Sequence, residues 1–169
     1  MSQYRFMAKI DEEDYNDSYY HVSKDILDYP EAVVVIVWSR RGPGKTYSAL
    51  RYPYHKFTTL YMKRTNKDVK NICEYAGDLE MDPSPWAPLN RDFGTNVKPR
   101  LLREGIGAFY DADSEGNPAG PVVNYVASLN ALKTLKGMDL SLAEWMIFDE
   151  FIPLAGEVVK KDEGEMMLD

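Results

Sequence analysis

A single cysteine, Cys73, stands in a chain of 169 residues, so no internal disulfide can form. The fold must then be held by its core, as expected in a reducing compartment. No apolar run approaches the length of a membrane span, and the first residues do not read as a secretion signal. Internal repeats and low-complexity tracts are missing too, which argues against a solenoid or a linker-like chain. Nor is there an excess of positive charge. The formal net charge of −7 speaks against a uniformly basic DNA-coating protein, while leaving room for a local basic surface or ring lumen. A hydrophobic content of 44% and a charged content of 28% are ordinary for a globular protein, and the length suits one domain with a real core.

The most informative stretch runs from Val33 to Pro53. Val33–Trp38 is an unbroken apolar run containing four valines, and it predicts a strand buried on both faces. Ser39-Arg40-Arg41-Gly42-Pro43-Gly44-Lys45-Thr46 follows. This is the phosphate-loop pattern G-x-x-x-x-G-K-[ST], with Ser39 in the first glycine position. Glycines at 42 and 44 let the backbone turn tightly and approach a phosphate without a Cβ in the way. Lys45 is expected at the β- and γ-phosphates and the Thr46 hydroxyl on Mg²⁺. Tyr47–Tyr52 predicts a short helix that Pro53 stops. Tyr47 stands either beside the nucleotide or buried on that helix. An ordinary strand–turn–helix with a surface lysine is the plainer alternative.

The rest of the chain predicts a strand–helix rhythm. Met1–Tyr20 is acidic and tyrosine-rich and reads as an exposed arm. His21–Tyr29 predicts a helix ending before Pro30. Thr58–Met62 predicts a second strand that runs into Lys63-Arg64-Thr65, and Asn66–Ala76 a helix with Val69, Ile72, Cys73 and Ala76 on one face. Arg64, at the end of a parallel strand, is either a nucleotide or DNA contact or a solvated strand cap. Glu80–Pro99, with four of the ten prolines, reads as a loop. Arg100–Tyr110 and Val122–Leu129 read as the arms of a long hairpin around Asp111–Pro121. Asn130–Gly137 predicts a short helix carrying Lys133 and Lys136.

Glu144–Glu150 reads E-W-M-I-F-D-E, an apolar strand ending in two carboxylates. In a phosphate-loop enzyme Asp149 holds the Mg²⁺, through water, and Glu150 orients and polarises the attacking water. A strand followed by an acidic turn is the alternative without chemistry. Phe151–Asp169 is acidic and holds no further strand with a polar tip, so an ATPase domain truncated after Asp149-Glu150 is expected.

Three stretches together resemble the DNA-packaging (encapsidation) ATPases of small tailed phages with protein-primed genomes, relatives of the terminase large-subunit ATPases. They are Arg41–Tyr47 followed by Tyr52-Pro53, Tyr61-Met62-Lys63-Arg64-Thr65, and Ile147-Phe148-Asp149-Glu150-Phe151-Ile152. Their order and spacing agree from about His21 to Pro153. The resemblance implies an α/β, RecA-like (ASCE) P-loop NTPase with a mostly parallel central sheet, flanking helices and an inserted β-hairpin, in a domain over 21–169 behind an arm over 1–20. It implies a Mg²⁺-dependent ATP hydrolase that drives double-stranded DNA into a prohead as a homo-oligomeric ring on the portal. The implied location is the bacterial host cytoplasm, transiently at the prohead, with no membrane partner. ATP and Mg²⁺ are the implied cofactors. Glu150, Lys45 and Arg41 are the implied catalytic residues. Ser39, Arg40, Arg41, Gly42, Pro43, Gly44, Lys45, Thr46, Tyr47 and Arg64 would bind nucleotide, and Thr46 and Asp149 the metal. The clusters Lys63/Lys67/Lys70 and Lys133/Lys136 are the candidate DNA contacts. The arginine that acts in trans is expected beyond the chain end, so nucleotide binding should exceed hydrolysis.

Other readings come from other classes. Another ring ATPase, such as a helicase or a filamentous-phage assembly ATPase, would carry the same two motifs. A small-molecule kinase would need an arginine-rich lid that the sequence does not offer. A non-catalytic nucleotide-binding assembly module remains open for a truncated domain.

Overall fold

The computed structural model describes residues 18–29, 31–40, 42–74, 82–132 and 143–150. They divide into two units, Met1–Lys56 and Phe57–Asp169. Residues 1–17 of the expected arm lie outside the described residues.

The first unit is built on two short helices, α1 (Val22–Asp28) and α2 (Lys45–Arg51). The backbone N–H of Val22 donates to Ser48 Oγ at 3.0 Å, which ties the start of α1 to α2. Val22, Tyr47, Ala49 and Leu50 are buried. Both helices agree with expectation, although α2 begins at Lys45, two residues early. The apolar run does not. Val33–Trp38 forms no strand, and Val33 and Trp38 are 89% and 80% exposed. An apolar, β-branched run has the propensity for a strand, but a strand exists only where a neighbour completes its backbone hydrogen bonds. The first unit offers it none: all five strands among the described residues start at Thr58 or later.

The described residues of the second unit form a five-stranded sheet. Its strands are β1 (Thr58–Lys63), β2 (Val97–Arg103), β3 (Ile106–Ala112), β4 (Pro118–Ser128) and β5 (Ala143–Phe148), in the order β2-β3-β4-β1-β5. Strand β1 pairs parallel with β4 on one side and β5 on the other, while β2–β3 and β3–β4 are antiparallel. The sheet is therefore mixed, where a mostly parallel one was expected. The expected long hairpin is a three-stranded meander. Arg100–Tyr110 is not one arm but two strands, because Gly105 at φ +71° turns the chain between Arg103 and Ile106. The turn-rich stretch between β3 and β4 is where it was expected. Asp113 Oδ1 accepts from the N–H groups of Glu115 and Asn117 at 2.9 and 2.8 Å, and these bonds hold its carboxyl below the usual carboxylate range.

Among the described residues, two α-helices pack in this unit. Helix α3 (Asn66–Cys73) starts at a capping box: Thr65 Oγ1 accepts from Asp68 N and Asp68 Oδ2 accepts from Thr65 N. Of the four residues expected on its apolar face, Val69 and Ile72 are buried, Cys73 is half-buried and Ala76 lies outside the described residues. The segment read as a loop contains a helix, α4 (Ala87–Phe93), and the start of β2. Pro88 sits in the first turn of α4, where a missing N–H costs nothing, and Gly94 caps its end at φ +66°. Pro99 lies in β2, an edge strand, which tolerates it. Trp86, fully buried, donates Nε1–H to Asn124 Oδ1 at 2.9 Å, and Asn124 in turn donates to Thr59 Oγ1. These bonds link the α4 segment, β4 and β1 through the core. Leu60, Met62, Ile106, Ala127 and Ala131 form a buried apolar cluster.

Candidate functional site

The phosphate-loop residues belong to the first unit. Gly42 and Gly44 both have φ +93°, a conformation that L side chains rarely adopt. Gly44 is the N-cap of α2, so the loop passes directly into the helix. Lys45 turns back over the loop: its Nζ donates to Ser39 Oγ at 2.9 Å, to Arg40 O at 3.0 Å and to Ser39 O at 3.4 Å. Ser39, the departure from the glycine pattern, thus supplies a hydroxyl that holds the lysine. Thr46 is half-buried at the second helical position. Tyr47 is buried on α2 and pairs with Tyr19, ring centroids 4.3 Å apart. Tyr20 N–H donates to Pro43 O at 2.6 Å, so residues 19 and 20 lie along the loop. Ser39 and Arg40 are exposed and Pro43 half-buried, while Arg41 lies outside the described residues.

The carboxylates belong to the second unit, and parallel pairing places them. The register Met62↔Phe148 ends the β1–β5 ladder, and Asp149 N–H still reaches Met62 O at 3.2 Å. Lys63 therefore lies level with Asp149. Lys63 Nζ stands 3.1 Å from Glu150 Oε2 and 3.4 Å from Asp149 Oδ2. Tyr61, two residues earlier and 1% exposed, donates its phenol O–H to Asp149 Oδ2 at 2.7 Å. Burial, then the Asp149 and Glu150 charges, push the Tyr61 hydroxyl well above its ordinary pKa. It therefore stays a donor to the acid. Glu150, 60% exposed at its side chain, takes φ +55°, a left-handed backbone that turns the chain sharply where β5 ends.

No family model, curated protein or solved structure matches the chain.

The structure redistributes the basic residues. Lys63, expected in a DNA-contacting cluster, pairs with the two acids and has 13% of its side chain exposed. Lys67 and Lys70 are exposed on α3, and Lys70 pairs with Glu74 at 3.4 Å. Arg64 is half-buried just past β1. Lys133 and Lys136 lie outside the described residues. Sequence reasoning placed Tyr61 in the resemblance stretch Tyr61–Thr65 but gave it no contact with Asp149. Its spacing of two from Lys63 puts both on one sheet face, but only the register with β5 reveals what they face.

As chemistry, Lys45 on its loop suits an anion, and the two carboxylates beside a single ammonium suit a hard cation. The Thr46 hydroxyl in the first unit and the Asp149 carboxylate in the second are each, taken separately, an oxygen donor of the kind Mg²⁺ takes. Among the described residues no three acids, histidines or cysteines gather into a self-sufficient metal site. One or two protein oxygens, completed by phosphate and water, is the ordinary arrangement for Mg²⁺ with a nucleotide. Among the described residues, no helix is long and apolar enough to cross a membrane.

Proposed function

We propose that the chain is a Mg²⁺-dependent P-loop ATPase domain. The observation that carries this reading is the loop Ser39–Thr46, with left-handed glycines at 42 and 44 and the Lys45 ammonium gathered onto the loop's own oxygens. Phosphate oxygens would take over those contacts, leaving Lys45 to neutralise charge on the γ-phosphate during in-line attack by water. Thr46 and Asp149 would hold Mg²⁺, which supplies the charge that offsets the transferring phosphoryl group. Glu150 would orient the attacking water, and Arg41 and Arg64 would add cationic contacts. The fold proposed with this function is RecA-like. The parallel trio β4-β1-β5, with its basic and acidic residues at the strand ends, supports it.

The resemblance of the three motif stretches extends the proposal to a packaging motor. The ATPase would form a homo-oligomeric ring on a viral portal in the bacterial cytoplasm and drive double-stranded DNA into a prohead. DNA contacts of such a motor would fall mainly on backbone phosphate and weaken with salt. Lys67 and Lys70 are the candidates with described, exposed side chains.

The deciding experiment measures Mg·ATP binding and turnover for wild type, Lys45→Ala and Glu150→Gln. Wild type should bind, Lys45→Ala should not, and Glu150→Gln should bind without turning over. Equal nucleotide binding by all three, or none by wild type, refutes the ATPase reading. DNA binding that does not respond to salt refutes the motor reading separately.

A further inference from the structure

We infer that Tyr61 is a positioning residue whose phenol hydroxyl fixes the Asp149 carboxylate for a divalent cation. The inference rests on the reading of Asp149 as the cation-holding acid. A ring that merely fills the core needs no hydroxyl, and Tyr61 is 1% exposed, so its O–H must find a partner inside the protein. The partner is Asp149 Oδ2 at 2.7 Å, a charge-assisted hydrogen bond of the stronger kind.

The platform beneath it is rigid. Strand β1 is paired on both sides, and Tyr61 itself is in register with Val126 on β4 and Ile147 on β5. Asp149 N–H reaches back to Met62 O, so the acid is tied to β1 through its backbone as well as its side chain. Lys63 Nζ adds a weaker contact at 3.4 Å to the same oxygen, shared with Glu150 at 3.1 Å. Tyr61 thus restrains Asp149 alone, while Lys63 serves both acids. Outer residues of this type orient an acid that holds a metal, and losing one typically weakens metal affinity on the order of 10- to 100-fold.

The test is Tyr61→Phe, which removes one oxygen and keeps the ring. Mn²⁺ is titrated into the whole chain with ADP present, and free Mn²⁺ is read by electron paramagnetic resonance. The Phe variant should bind Mn²⁺ on the order of 10-fold or more weakly, with metal-free ADP affinity unchanged. In an Asp149→Asn background, Tyr61→Phe should cause no further loss, because its only route to the metal is gone. Should the Phe variant fail to fold, 4-fluorophenylalanine at position 61 fills the phenol's space without donating and is held to the same criteria. Equal Mn²⁺ affinity in wild type and variant overturns the inference. So does an equal loss in the Asp149→Asn background, which marks a general effect on the fold. If wild type binds no Mn²⁺ with ADP, the cation-site reading itself fails, and this inference with it. An effect of Tyr61 is therefore separable from the existence of the site.

Discussion

Replacing Gly44 by alanine should destabilise the chain far more than the same change at Gly42, although the two glycines share φ +93°. The left-handed conformation by itself costs a non-glycine residue about 1–3 kcal/mol, and this applies at both positions. At Gly42 a new Cβ meets nothing within 4 Å. At Gly44 it would stand 2.5 Å from Tyr19 Cβ and 2.9 Å from Tyr19 Cγ. The Tyr19 Cβ is fixed by its backbone, so no rotamer change clears it and the backbone near residue 19 must move. That movement loosens the Tyr20 N–H to Pro43 bond, worth about 1 kcal/mol. It also separates the Tyr19–Tyr47 ring pair, worth about 0.5–1.5 kcal/mol. Gly44→Ala should therefore cost roughly 2 kcal/mol more than Gly42→Ala. Urea denaturation of both variants reads this as a difference in midpoint at constant slope. Adding Tyr19→Gly to Gly44→Ala should recover part of the loss, since it removes the Cβ that the new methyl would meet at 2.5 Å. Equal midpoints for the two alanine variants would show that Tyr19 does not pack on the loop, and the reasoning would fail.

Trp86→Phe should cost about 1–3 kcal/mol, because it keeps most of the ring but strips Asn124 Oδ1 of its buried donor; thermal denaturation checks this. Burial, with a smaller push from the Glu74 carboxylate, raises the Cys73 thiol to about 11, so the folded chain should alkylate slowly at pH 8 and quickly once unfolded. A folded pKa above the unfolded one means the thiol's contribution to stability is complete below the unfolded thiol's pKa. It is lost as pH rises through about 11, a loss that Cys73→Ser should remove from the alkaline limb of the stability curve. Asp113→Ala should loosen the β3–β4 turn, read as faster amide exchange at Glu115 and Asn117, whose N–H groups it holds.

Much of the chain was legible from local chemistry. Helix α3 announces itself in Thr65-Asn66-Lys67-Asp68, whose capping box forms as the pattern dictates. The Asp113–Gly116–Asn117 turn and the left-handed glycines at 42 and 44 are likewise settled by residues a few positions apart. Pro88 in a first turn and Gly94 just past a last one also spell a helix, but the density of prolines around them read as a loop. There the signal was present and its order in the chain, rather than its composition, carried the meaning.

Pairing between distant strands left no such local trace. Val33–Trp38 has more apolar character than β1, yet β1 is a strand because β4 and β5 complete its backbone on either side, while the valine run gains no such neighbours. Lys63 reads as a surface cation until the register Met62↔Phe148 brings Asp149 level with it. Tyr61 reads as core until that same register turns its hydroxyl into the donor that holds an acid 88 positions away. The sequence by itself determined the residue types of the candidate site and the local turns and caps that present them. Tertiary structure decided which strand is real and which acid meets which donor, because hydrogen bonds between strands depend on partners that no local pattern can name.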